Sequence, residues 1–143
     1  MIRKGRRLDE RVILIRGGRL KTPTELLEKI LDGAEENAKT LEISVWFALP
    51  EVDESEEDTI LRVCQVGTGL PQAVIQIAHS DALRAAGFSV LPGYCLKRGV
   101  WHGNVEIPRE TFIEDAARLI SVFNEPRKNP SPGGKSEKRT NRF

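Results

Sequence analysis

The sequence predicts a single α+β domain in which a mixed β-sheet packs with about four helices and a disordered basic tail follows. Three observations carry that expectation. The chain has 143 residues, a length that suits one domain able to bury about two thirds of its unfolded surface. Short β-branched runs alternate with amphipathic stretches in the order β-α-β-α-β-α-β-β-α, and such alternation builds layered sheets with helices. The final residues, KNPSPGGKSEKRTNRF, carry no apolar periodicity that could offset the entropy of ordering them.

Each element has its own local reason. Arg11–Arg16 reads as a buried strand, β-branched and stopped by Gly17-Gly18. Thr22-Pro23-Thr24-Glu25 fits a capping box, with Thr22 as N-cap, Pro23 at the first helical position and Glu25 at the third. The helix it opens is expected to run to about Lys39, burying Leu26, Leu27, Ile30, Leu31 and Ala34. In the strand Leu41–Phe47, Leu41, Ile43, Val45 and Phe47 alternate with polar partners and mark a core face. Pro50–Asp58 is an acidic loop. Ser55 can cap a short helix to about Gln65 with Ile60, Leu61 and Cys64 inward, although ILRVCQV also suits a strand.

Gly67–Pro71 breaks the chain, and Ala73–Ala78 is the next strand. Ser80 can cap a helix over Asp81–Ala86, closed by Gly87 in the left-handed region. Phe88–Leu91 is a strand, Pro92-Gly93 a turn, and Leu96–Gly103 contains a polar turn. Val105–Ile107 begins the last strand, which Pro108 ends. Arg109–Phe123 is the final helix, with Ile113, Ala116, Ala117, Ile120 and Phe123 as its apolar stripe. The organisation is therefore a flexible basic N-terminus over 1–9, one domain over 10–125, and a disordered tail over 126–143.

Charge is divided along the chain although the net charge is only +1. Residues 1–21 hold eight Lys/Arg against two Asp/Glu, and 127–143 hold six against one. Residues 22–126 hold eight against eighteen, a net of −10. An acidic body disfavours a nucleic-acid surface on the fold, so nucleic acid is a partner only through the basic ends, where phosphate contacts would be salt-sensitive. Aromatic content of 6% is thin for base stacking. No apolar run approaches the roughly 20 residues of a membrane span, and MIRKGRRLDE lacks the apolar stretch of a secretory signal. These features predict a soluble cytoplasmic protein without a membrane. Two cysteines and two histidines supply no disulfide framework and no zinc spacing, so no metal ligands are assigned. No phosphate-binding loop of the P-loop or dinucleotide type is present.

Three groups of residues have chemical potential. Arg16 ends an apolar strand ahead of Gly17 and Gly18, placing a planar fork suited to phosphate or carboxylate where backbone can approach a ligand. Ser44 and Trp46 share the polar face of their strand; the first is a hydroxyl near Arg16 if the sheet is covered on both sides, the second a pocket wall or a packing ring. His102, Asn104 and Glu106 alternate onto one side of the last strand, offering a base, an amide and an acid. The plain alternatives are a surface arginine, an ordinary strand serine and a polar edge strand. His79, between a strand and a helix start, is equally a packing histidine.

The order strand-Arg16-Gly17-Gly18, helix, strand with Ser44, late strand with Glu106 resembles the small ADP-ribosyltransferase-fold proteins, which include bacterial toxins. The resemblance spans about 11–107. It implies NAD as cofactor, Arg16 on the dinucleotide, Ser44 shaping the nicotinamide pocket, and Glu106 steadying an oxocarbenium-like ribose as the glycosidic bond breaks. Separately, Leu83–Phe88, His102 and the Phe123…Pro126…Asn129-Pro130 ending are similar to small uncharacterised bacterial proteins, a likeness that brings no function. The sequence thus sets an NAD-consuming, toxin-like transferase or effector beside two alternatives. One is a non-enzymatic module that binds a protein partner. The other is a small nuclease using His102 with Arg16 or Lys97/Arg98, against which the acidic body weighs.

Overall fold

The computed structural model describes residues 12–20, 22–32, 35–66, 70 and 72–131. Six strands, β1 (Ile13–Gly17), β2 (Thr40–Ala48), β3 (Val74–His79), β4 (Val90–Cys95), β5 (Trp101–Pro108) and β6 (Arg127–Lys128), form one sheet in the order β4-β5-β2-β1-β3-β6. Four helices accompany it: α1 (Pro23–Leu31), α2 (Glu56–Val66), α3 (Ser80–Ala85) and α4 (Phe112–Val122). The fold is α+β.

The alternation of β2 decides how the layers form. Leu41, Ile43, Val45 and Phe47 are buried on one face with Leu14, Val105 and Ile107, under Leu26 of α1, Leu83 of α3, and Phe112, Ala116 and Leu119 of α4. On the opposite face Ile13, Ile15, Ile75 and Ile77 are covered by Ile60, Val63 and Cys64 of α2. Three helices thus cover one face and a single helix covers part of the other. The capping box of α1 is complete: Thr22 Oγ1 accepts the Glu25 N–H at 3.2 Å, and Glu25 Oε1 accepts the Thr22 N–H at 3.3 Å. Ser55 Oγ likewise accepts the Asp58 N–H at 3.1 Å at the start of α2. Gly87, at φ 92°, closes α3 with paired bonds, its own N–H to Arg84 O and that of Phe88 to Leu83 O.

Several sequence expectations are corrected. All five strand pairings are antiparallel, where a mixed sheet was expected. Periodicity identifies strands but not the end at which each enters the sheet, and β1 and β2 are antiparallel neighbours despite the helix between them. Helix α1 stops at Leu31 instead of continuing to Lys39; Gly33 follows in the sequence, and glycine costs about 1 kcal/mol relative to alanine inside a helix. Ser80 does not cap α3 but lies inside it, and its Oγ accepts the Val12 N–H at 2.8 Å, tying the start of β1 to the end of β3. Pro92-Gly93 is not a turn but part of β4, which carries a register shift between Pro92 and Tyr94. Proline is tolerated there because β4 is an edge strand.

Helix α4 buries Phe112, Ala116 and Leu119, while Ile113 and Ala117 are exposed. The sequence offers two adjacent apolar rows, and packing against the sheet and α1 selects the earlier one. The tail expected to be disordered from 126 instead continues as β6 on β3, and Asn129 is fully buried, its Nδ2 donating to Leu70 O and Gln72 O at 3.1 and 2.9 Å. Backbone pairing and one amide order this stretch, and apolar periodicity detects neither. The flexible segment expected over 1–9 and the remainder of the tail, 132–143, lie outside the described residues. Among the described residues, no helix is long and apolar enough to cross a membrane.

Both sheet edges are blunt. β4 contains Pro92 and a bulge, and β6 has only two residues, Arg127 and Lys128. One polar side chain ties helix α2 to the loops beside it. Arg62, buried at 3% exposure, donates from Nε and Nη2 to the two Glu54 oxygens at 2.9 and 2.7 Å, and also to Arg98 O at 2.6 Å and Leu49 O at 3.0 Å. This fork holds Glu54 down at about 2. A depressed carboxyl stabilises the fold above its unfolded value and loses that contribution as pH falls through its folded value. Arg62→Ala is therefore expected to cost about 3 kcal/mol in urea unfolding at pH 7. The difference between Glu54→Gln and wild type should shrink between about pH 4.5 and 2.

Candidate functional site: the gap between β1 and β2

The candidate site arises from a mismatch in strand length. β1 has five residues and β2 has nine. Their pairing ends at Ile15↔Trp46, whereas β1 stays with β3 as far as Gly17↔Ile75. In an antiparallel strand, successive residues point their N–H and C=O groups to opposite neighbours. Val12 O accepts the Ser80 N–H and Gly18 N–H reaches Val74 O, so the even-numbered positions of this stretch face β3. The backbone of Gly17 consequently faces β2. Across the gap, Ser44 O is turned toward β1, since it accepts from Arg16 Nη1 at 2.8 Å. Glu42 shares that phase. Beyond Ile15, then, the edge of β2 from Thr40 to Ser44 has β5 on one side and, among the described residues, no strand on the other.

Arg16 stands in this gap. Its guanidinium makes that one hydrogen bond and no ion pair among the described residues. Burial pushes its pKa below the ordinary arginine value; the guanidinium is half-buried and bonds to no carboxylate among the described residues. Two adjoining hollows meet at it. One, of about 500 Å³, has Arg16, Arg19 and Lys29 as its cations and Glu25, Glu28 and Asp32 as its carboxylates, with Gly17, Gly18 and Gln72 between. The second, of about 180 Å³, is lined by Arg16, Gly17, Lys29, Ser44, Trp46 and Gln72. The Gln72 carboxamide occupies the place where a Cβ on Gly17 would stand. A planar cation whose other donors are unused among the described residues, beside a cavity, is suited to a carboxylate or phosphate.

The rest of the uncovered sheet face is built differently. Glu42, Ser44 and Trp46 of β2 stand opposite Glu106, Asn104 and His102 of β5. His102 lies between two rings, 5.0 Å from Tyr94 in a stacked arrangement and 4.7 Å from Trp46 edge-on. Burial lowers its pKa, opposed by the charge of Glu42. Trp46 therefore separates His102 from the Arg16 hollow, walling one and touching the other. Glu106 lines a third hollow with Gly87, Phe88, Ser89 and Leu91.

Of the residues singled out in the sequence, Arg16, Gly17, Gly18 and Ser44 gather at the gap; His102 and Glu106 do not join them. His79 pairs with Glu56 at 2.8 Å, away from both groups. Lys29 and Gln72 were not anticipated. Lys29 lies on the wet face of α1 and Gln72 follows a chain break, so only the folded chain brings them to Arg16. No group of three metal-binding side chains occurs among the described residues. No family model, curated protein or solved structure matches the chain, so geometry carries the functional reading.

Two measurements check this description. Amide hydrogen exchange should be fast at Glu42 and Ser44 and slow at Ile43 and Val45, which face β5. By NMR, His102 should titrate below the ordinary 6.5, and Glu42→Gln should lower it further by removing the one charge that favours the imidazolium.

Proposed function

We propose that this chain is a binding domain whose site is the gap between β1 and β2, where Arg16 receives the anionic group of a ligand. The observation that carries this reading is the Arg16 guanidinium, oriented by Ser44 O, without a carboxylate partner among the described residues, and shared by two adjoining hollows. Lys29 adds a second cation beside it. The resemblance to ADP-ribosyltransferases makes NAD the first ligand to try, with its pyrophosphate on Arg16. The Arg16 hollow has its own carboxylates in Glu25, Glu28 and Asp32, but transfer chemistry as the resemblance implies it needs Glu106 at the ribose, and Glu106 lines another hollow. This separation favours binding without catalysis over a toxin-like transferase. A nuclease would need His102 beside Arg16 or Lys97/Arg98, yet its ring is enclosed by Trp46 and Tyr94.

A second reading, docking of a protein partner, draws on the uncovered face of β2, β5 and β4, where Tyr94 is 47% exposed above His102. Aromatic side chains are favoured anchors at interfaces.

Calorimetry tests the first reading, with NAD and inorganic pyrophosphate as probes and circular dichroism confirming the fold of each variant. Binding of at least one probe is expected, weakened about tenfold or more by Arg16→Ala, as fits the loss of a charged hydrogen bond. Glu106→Gln should leave affinity unchanged within about twofold, because truncations remote from a ligand are nearly neutral. A folded wild-type protein that binds neither probe would overturn the proposal.

A further inference from the structure

We infer that the gap takes an extended peptide as an added strand on the open edge of β2, with the peptide's C-terminal carboxylate ending on Arg16. The inference rests on the reading of Arg16 as an anion site and names the class of ligand. Three features of the gap converge on it. First, the edge of β2 over Thr40–Ser44 turns the backbone groups of Glu42 and the N–H of Ser44 away from β5 and meets no second strand among the described residues, since β1 parts from β2 after Ile15 and only Ser44 O is taken, by Arg16. Unpaired strand backbone is a template for strand addition. Five residues of edge, at about 3.3 Å each, give pairing length for a short peptide.

Second, the cation stands at one end of that edge. Arg16 lies where β1 leaves β2, and its Nη1 is fixed on Ser44 O. A strand pairing with Glu42 and the Ser44 N–H would reach the guanidinium with its last residue. A terminal carboxylate has the two oxygens that a guanidinium fork matches. β1 runs toward the gap and β2 runs antiparallel to it, so a peptide ending at Arg16 would lie parallel to β2. Third, the hollows flank this line. Lys29 reaches it from α1, while Trp46 and Gln72 wall the smaller hollow, giving the final side chain a place to enter. A dinucleotide would use Arg16 but leave the β2 edge unpaired; a peptide uses both.

The test uses the full chain against arrays of random hexapeptides, displayed once with free carboxyl ends and once with amidated ends. Binding is expected on the free-carboxyl array, reduced at least tenfold by amidation and by Arg16→Ala. For the strongest hexapeptide, hydrogen exchange at Glu42 and Ser44 should slow on binding, and N-methylation of its alternate amides should abolish binding. Equal binding to amidated peptides would overturn the role of the carboxylate. Peptide binding that leaves exchange at Glu42 and Ser44 unchanged would overturn strand addition. If pyrophosphate or NAD binds through Arg16 but no peptide does, the anion site stands and the peptide inference fails. If neither small anion nor peptide binds, both fail.

Discussion

β1 has to pair with two neighbours while being far shorter than one of them, β2, and the architecture around the site follows from that constraint. Idealised sheets match strand lengths. Here Gly17-Gly18 turns the chain away while β2 still has its first residues, Thr40–Val45, to place. Those residues are secured on the other side by β5, whose register with β2 is continuous from Pro108 to Trp101. The break is therefore confined to one seam. Arg16 bridges it with a side chain where a backbone ladder would otherwise run. A half-buried guanidinium making one hydrogen bond among the described residues stands there in place of the ladder, and it marks the place as more than a strand end.

The distribution of helices reinforces the asymmetry. Helices α1, α3 and α4 cover one face, leaving α2 to cover β1 and β3 on the other. The remaining strands on that side alternate polar residues outward, and their aromatic rings lean on one another, Trp46 against His102 and His102 against Tyr94. Arg62 holds α2 to the loop before it and to the turn at Lys97–Gly99. It is a rigid anchor for the half-cover that leaves the gap accessible.

Much of this was legible in the sequence because it was local. The capping box at Thr22, the alternation of Leu41–Phe47 and the left-handed Gly87 each depend on residues within one turn or one strand, and each took the expected form. What sequence reading missed depended on distant partners. Ser80 had two possible employments, a cap or a bond to Val12, and only the neighbouring strand chose between them. Ile113 and Phe112 were equally apolar, and the seat against α1 chose the second. Asn129 gave no apolar signal, yet its amide closes two carbonyls. Of the site, the strand-ending Arg16 with Gly17 and Gly18 was readable, as was Ser44. The parting of β1 from β2, which gives them a shared purpose, was not.

The blunt outer edges of the sheet carry a consequence for behaviour at high concentration. Strand-to-strand growth between molecules begins where a long, regular edge offers unpaired backbone. At β4, Pro92 withholds an N–H and the bulge breaks the register; at β6 there are two residues, both cationic. Self-templated fibre formation is thus denied its usual starting points on the described residues. The interior seam is different in kind: it is bounded at one end by Arg16, so it admits a strand of limited length and cannot propagate one. A fold arranged in this way tolerates an accepting edge without the polymerisation that such an edge invites elsewhere.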